Sequence, residues 1–200
     1  MPKRESTKMK RRTFDLLVSS VGLGLAAILL IFAGLLNFGA GFANDSVQTQ
    51  LANQNIAFPE EGGLPSETAD QLKKWAGKQV TTGEMARDYS DLFILEHMNA
   101  AATAVMGKPA TYSEVSTAYM AAQRDGVTTP EQLQKIADLR ETLFQGNTLR
   151  GMLLEAFAFG TMGVIAGYAA IAALVGGVLF LLLALAGFRN IRRTPEDATI

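Results

Sequence analysis

The sequence predicts an all-α membrane protein in which two transmembrane helices, with both chain ends cytoplasmic, flank a small helical extracytoplasmic domain. Three observations carry that prediction. Ala156–Phe188 is a run of 33 residues without Asp, Glu, Lys, Arg or His. A second uncharged run, Leu16–Asn44, follows an N-terminus rich in Lys and Arg. Between the two runs the pattern is one of capped helices, with no period-two alternation of β-branched residues long enough for a strand.

Composition agrees. A chain of 200 residues that is 48% hydrophobic, with mean hydropathy +0.16, is too apolar for an ordinary soluble domain of its size. Charge is unevenly spread. Residues 1–15 and 189–200 together carry nine Lys/Arg against four Asp/Glu, whereas 43–155 carries nine against fifteen. Cysteine is absent, which removes a disulfide framework, a thiolate metal site and a lipid-modified Cys. An acidic middle with one His lacks the clustered basic face of a nucleic-acid binder.

Taken in order, residues 1–15 form a basic cytoplasmic N-terminus supplied by Lys3, Arg4, Lys8, Lys10, Arg11 and Arg12, because positive residues flanking a span favour the cytoplasmic side. Residues 16–37 form the first transmembrane helix. Leu16–Leu36 is about the 20 residues that a crossing requires, and Asn37 marks the outer exit. Small residues Gly41 and Ala43 also suit cleavage of a secretory signal after Ala43, but the apolar stretch is longer than a signal core, so a retained anchor is expected.

Residues 38–155 are read as the helical extracytoplasmic domain. The first helix continues past the membrane through residues 44–58, and Pro59 with Gly62 and Gly63 turns the chain. Ser66 is the expected N-cap of a short helix through Lys78. Thr81 to Glu84 and Thr111 to Glu114 both fit the capping box, in which a Thr side chain and a Glu three residues on satisfy each other's free amides. The helix opening at Thr81 is expected to run to Val105 with an apolar stripe of Met85, Tyr89, Leu92, Phe93 and Met98, and Gly107 to Pro109 ends it. Thr129-Pro130 starts a further helix, with Pro in the first position where its missing N–H costs nothing, and Gly146-Asn147 interrupts it.

Residues 156–188 are the second span with an extracytoplasmic extension, and 189–200 are a cytoplasmic tail. At about 1.5 Å per residue this run exceeds the roughly 30 Å of a bilayer core. Twenty residues back from Arg189 the outer boundary falls near Tyr168–Ala169, where an aromatic suits the interface. Ala156–Gly167 then projects into water and needs cover from the domain, from the Phe38–Phe42 end of the first helix or from another protein; a strongly tilted span is the alternative.

Several spaced motifs resemble a known family. Gly77–Tyr89 (GKQVTTGEMARDY), Phe93–Met98 (FILEHM), Thr111–Ser116 (TYSEVS) and Leu143–Gly151 (LFQGNTLRG) occur in the order found in actinobacterial two-span membrane proteins of about this length, and the likeness covers residues 75–190. Members are often labelled aromatic ring-opening dioxygenases. Such enzymes hold iron with two His and a carboxylate or an equivalent set, whereas this chain has one His. The resemblance therefore implies topology and lineage rather than chemistry.

Candidate sites are few. His97 lacks a second ligand at i−4 or i+4, where Phe93 and Ala101 stand, so a hydrogen-bonded structural role is expected. Glu84, Asp88 and Asp91 fall on one helical face, with Arg87 spaced to pair with Glu84 and Asp91. Trp75, Tyr89 and His97 are the weak candidates for lining a small-ligand site. Partner-interface candidates are Arg150, Phe157, Phe159, Gly160, Gly163 and Gly167, the glycines because they permit close backbone approach. The spans contain no ionisable residue, which argues against transport, and no phosphate loop, nucleophile elbow or HExxH is present.

The expected function is a non-enzymatic accessory or scaffolding subunit of a larger cell-envelope complex, a respiratory chain complex being one such assembly by analogy. It would sit as a multi-pass protein in the plasma membrane, with the lipid bilayer and integral membrane subunits as partners, no nucleic acid and no cofactor or metal. The alternative is a membrane-anchored sensor that binds a small ligand or cation.

Overall fold

The structure, a computed structural model, describes residues 9–200. Lys3, Arg4 and Lys8 lie outside the described residues. The helices are α1 (Arg11–Gln54), α2 (Ala69–Leu72), α3 (Gly83–Asp88), α4 (Leu95–Met106), α5 (Tyr112–Ala122) and α6 (Pro130–Ile191), with 3-10 turns at Glu61–Gly63 and Lys73–Trp75 and a π-helical segment at Tyr89–Ile94. α1 and α6 are long and apolar enough to cross a membrane. No strand forms among the described residues. Two compact units result: a hairpin unit, with the chain through Phe42 and Gly163–Ile200, and a central unit, Ala43–Met162.

The hairpin unit is held by small residues at heptad spacing. Ser19, Ala26, Ala33 and Ala40 of α1 are buried, and so are Gly163, Ala170, Gly177 and Ala184 of α6. Each set repeats every seven residues, the period that keeps one seam facing a partner helix along its length. Pairing is antiparallel and in constant register. A Cβ built on Gly22 would lie 3.7 Å from Ala184 Cβ, one on Gly177 would lie 2.9 Å from Leu30 Cγ, and one on Gly167 would lie 3.9 Å from Ala40 Cβ. Large apolar residues point away from the seam, with Val21, Ile31, Leu35, Ile171 and Leu183 all exposed.

The tail is not free of this unit. The Arg11 N–H donates to the Ala198 carbonyl at 2.9 Å, and the Ile200 N–H donates to the Met9 carbonyl at 3.0 Å. Arg12 adds hydrogen bonds to the Thr194 carbonyl and the Glu196 carboxylate at 2.8 and 2.7 Å.

In the central unit several local expectations need correction. α1 ends at Gln54 rather than Phe58, because Asn55 takes a left-handed conformation (φ 52°), which Asn tolerates better than most residues. Ile56–Phe58 then pairs with Lys78–Val80 through two backbone bonds, Phe58 N–H to Lys78 carbonyl and Val80 N–H to Ile56 carbonyl, closing the loop between them. Ser66 is no N-cap; its hydroxyl donates to Glu67, and the short helix begins at Ala69. The cap of α3 is Thr82, which accepts from Met85 N–H, and Glu84 binds Lys74 instead of completing a box with Thr81. The box at Thr111 and Glu114 forms in both directions. Thr129 forms a second with Gln132, each accepting from the other's backbone N–H at 3.2 to 3.3 Å. Thr111→Ala is expected to destabilise α5 by about 1 kcal/mol, seen as faster amide exchange over α5 alone.

Gly146 and Asn147 do not interrupt α6, which runs unbroken for 62 residues. A Cβ on Gly146 would meet Met98 Sδ at 2.5 Å, so this glycine admits α4 to the surface of α6. Two cores follow. One gathers Val47, Leu51, Phe58, Leu72, Val80, Met85, Ala86 and Leu153. The other joins α4, α5 and α6 through Met98, Ala102, Val115, Leu139 and Leu143.

Candidate functional site

The helix opening at Gly83 carries the central unit's polar chemistry, and its approach to α6 depends on two glycines. A Cβ on Gly83 would lie 3.1 Å from Phe157 Cα and 3.2 Å from the Ala156 carbonyl oxygen, while one on Gly160 would lie 3.3 Å from Gly83 Cα. Backbone meets backbone there, and no side chain can move aside.

Asp88 follows one turn later and is buried. Its carboxylate accepts from Trp75 Nε1 at 2.9 Å and from Arg87 at 2.9 and 3.1 Å, and Lys74 Nζ lies 3.1 Å away. Burial pushes the Asp88 carboxyl pKa up, but hydrogen bonds from Trp75, Arg87 and Lys74, with the Lys74 charge, outweigh it and hold the group below the ordinary aspartate value. Lys74 is raised in return, chiefly by Asp88 and then Glu84. The three-carboxylate face does not assemble as spaced. Glu84 and Asp88 share Lys74, while Asp91 pairs with Arg150 at 3.0 Å. The intervening π turn, with its i to i+5 bonding, carries Asp91 off the 3.6-residue face. Arg87 pairs with neither Glu84 nor Asp91; it binds Asp88 and lays its guanidinium over the Phe157 ring.

The π segment is fastened from outside. Ser90 carbonyl accepts both the Leu95 N–H and Arg150 Nε, and Leu92 carbonyl accepts from Thr68 Oγ1 at 2.6 Å. Arg150, a candidate for partner contact in the sequence, is thus spent within its own unit. Arg150→Met keeps the apolar stem but deletes both bonds. It is expected to cost about 1 kcal/mol, discounted for the partly exposed Asp91, and to raise amide exchange first over 89–94.

The three weak ligand candidates join one aromatic run. Phe58 stacks on Trp75 (6.4 Å) and meets Tyr89 edge-on (5.0 Å), Tyr89 meets Phe93 (4.8 Å), and Phe93 meets His97 (4.3 Å). Tyr89 is half-buried, which raises its phenol pKa. His97 is exposed, with Nδ1 2.9 Å from the Phe93 carbonyl of the preceding turn. Among the described residues no group of three or more His, Cys, Asp or Glu is placed to hold a metal.

The chain's partner-interface candidates separate. Phe157 and Gly160 are covered by α3, Gly163 is buried, and Gly167 is half-buried beside Ala40. Only Phe159 remains as open apolar surface, at 50% exposure. Phe38 and Phe42 are exposed. Sequence reading missed the companions of Phe159, namely Leu149, Met152 and Met162, which are exposed on the same side of α6. Their spacing of three, seven and three residues was the available signal. Also missed was a cleft of about 260 Å³ floored by Leu95 and Met98 and edged by Asn99, Thr111, Glu114, Asn147 and Arg150.

No protein-family model matches this chain, and neither does any curated protein or solved structure.

Proposed function

We propose that this protein is a membrane-anchored accessory or scaffolding subunit of a larger cell-envelope complex, without catalytic activity of its own. The observation that carries the reading is the exposed apolar stripe Leu149, Met152, Phe159 and Met162 on the central unit, where the remaining large apolar side chains of α3 and α4 are mostly covered. Membrane insertion is supported by the hairpin. Its small residues face inward and its large apolar residues outward, as suits a lipid surround. Asn37, three residues before Ala40, is level with Ala170, three after Gly167 and one to two residues from the Tyr168–Ala169 boundary read on the second run. From there to the Leu16 and Asn190 level is about 32 Å at 1.5 Å per residue, close to a hydrocarbon core. The basic flanks Lys10, Arg11, Arg12, Arg189, Arg192 and Arg193 make that end cytoplasmic and the acidic central unit extracytoplasmic. In an actinobacterial setting, a respiratory chain complex is the specific assembly proposed.

A photo-crosslinking side chain at position 159 or 152 of the full-length chain should give one discrete adduct to an integral membrane protein, absent when the probe stands at exposed Val127. Adducts that are equally diffuse from 159 and 127 would remove the stripe as a docking face. The small cleft that carries Asn99, Glu114 and Asn147 favours a second reading, a small-ligand sensor, which predicts a rise in thermal midpoint on adding ligand, because binding to the native state alone stabilises by mass action.

A further inference from the structure

The hairpin unit has one feature that neither anchoring nor scaffolding uses. A groove of about 660 Å³ runs along one flank where α1 and α6 meet, walled by Phe14, Val18, Val21, Leu25, Phe180 and Leu183. From Asp15 to Leu25 it follows ten residues of α1, about 15 Å, which is half of a roughly 30 Å hydrocarbon core and so the depth of one leaflet. At the end where the chain enters α1 its lining comprises Met9, Phe14, Asp15 and Asn190, with Asn190 Nδ2 donating to the Asp15 carboxylate at 3.5 Å. Arg11 stands between the lining residues Met9 and Phe14, and three, four and seven residues before Phe14, Asp15 and Val18, on the same helical face as those three. Arg11, Arg189, Arg192 and Arg193 are exposed and make no ion pair among the described residues, and Arg12 is taken by Glu196. Charge at this end is lopsided, with Lys10, Arg11, Arg12, Arg189, Arg192 and Arg193 set against Asp15, Glu196 and Asp197.

We infer that this groove seats an anionic phospholipid of the leaflet at the basic end, with one acyl chain against Val18, Val21, Leu25 and Leu183 and the phosphate on Arg11. The chemistry is that of a basic pocket beside paired membrane helices, in which apolar walls hold the chain and an unpaired guanidinium selects the charged headgroup. Asp15 and Asn190 tune the choice. A bare phosphate beside the Asp15 carboxylate is repelled, whereas a headgroup that carries free hydroxyls can donate to Asp15 and to the Asn190 side-chain amide oxygen while its phosphate stays on Arg11. This inference rests on the hairpin spanning a bilayer.

The test uses the full-length chain in mild detergent, titrated with phosphatidylglycerol or phosphatidylcholine and read by native mass spectrometry. Phosphatidylglycerol should bind about fivefold more tightly, and Arg11→Gln should reduce it to the phosphatidylcholine level. Val18→Phe, which fills the groove from an exposed position without adding a second tryptophan, should weaken both lipids; unchanged Trp75 fluorescence confirms that the variant is folded. Equal binding of the two lipids, or a preference that survives Arg11→Gln, overturns the proposal. Alkaline carbonate washing of membranes separates the premises: a chain that washes off removes the spanning reading itself, whereas a chain that stays but shows no lipid preference removes the lipid seat alone.

Discussion

Asp88→Ala is expected to destabilise the central unit by about 2 to 4 kcal/mol, because it leaves the half-buried Trp75 indole N–H without an acceptor and removes the group on which Lys74 and Arg87 converge. Trp75 is the only tryptophan in the chain, so its emission reads the site directly. A red shift at low denaturant, with an earlier unfolding midpoint, is the expected result; an unchanged midpoint would show that the carboxylate is dispensable. Asp88→Asn keeps an acceptor for the indole and should cost less.

The pH dependence has a fixed sign. Since folding lowers the Asp88 pKa, the unfolded chain binds more protons in the acid range, and stability falls as pH drops. The contribution is complete above the ordinary aspartate value of about 3.9 and is lost as pH falls through the lower native value. Glu114 and Asp125 are also lowered, by hydrogen bonds from Thr111 and from Thr128 and Val127, and act in the same direction. In Asp88→Asn the slope of thermal midpoint against pH between about 5 and 2 should flatten relative to the parent chain.

Gly177→Leu should disrupt the hairpin. A Cβ at this position already falls 2.9 to 3.0 Å from the Leu30 side chain and 3.3 Å from Leu29 Cβ, so the longer side chain must separate the helices at an overpacking cost of about 1 to 3 kcal/mol. The absence of cysteine makes this easy to follow. Gly22→Cys with Ala184→Cys should form an intramolecular disulfide on mild oxidation, since the 3.7 Å Cβ separation lies within the disulfide range. Gly22→Cys with Gly177→Cys, two turns out of register, should not. Adding Gly177→Leu to the first pair should cut the crosslinked fraction severalfold. Efficient crosslinking of the out-of-register pair would discard the seam as described.

Much of the fold was legible locally. The uncharged runs, the Thr111 box, Thr129-Pro130 and the left-handed Gly107 at the end of α4 act through neighbours in the chain, and each stands where the sequence put it. Readings failed where a distant residue decided the outcome. Gly146 reads as a helix breaker until Met98 occupies the space beside it, and Glu84 reads as half of a capping box until Lys74 claims it. Arg150 and Phe157 read as partner-contact candidates until Asp91 and Arg87 reach them. The heptads of Ser19, Ala26, Ala33 and Ala40 and of Gly163, Ala170, Gly177 and Ala184 were fully visible, yet in runs this rich in Ala and Gly only pairing distinguishes them from other small residues.

The sequence by itself determined that the chain is helical, that two of its helices are long and apolar enough to cross a membrane, and where α5 and α6 start. These properties follow from apolar length, periodicity and side chain to backbone bonds within a few residues. The tertiary structure decided which face of each long helix is buried, which carboxylate is enclosed, and that the π turn at Tyr89–Ile94 is fastened by Thr68 and Arg150. Those outcomes depend on groups distant in the chain, 13 residues apart for Trp75 and Asp88, 60 for Arg150 and Ser90, competing for one space or one proton, and no local pattern records who wins.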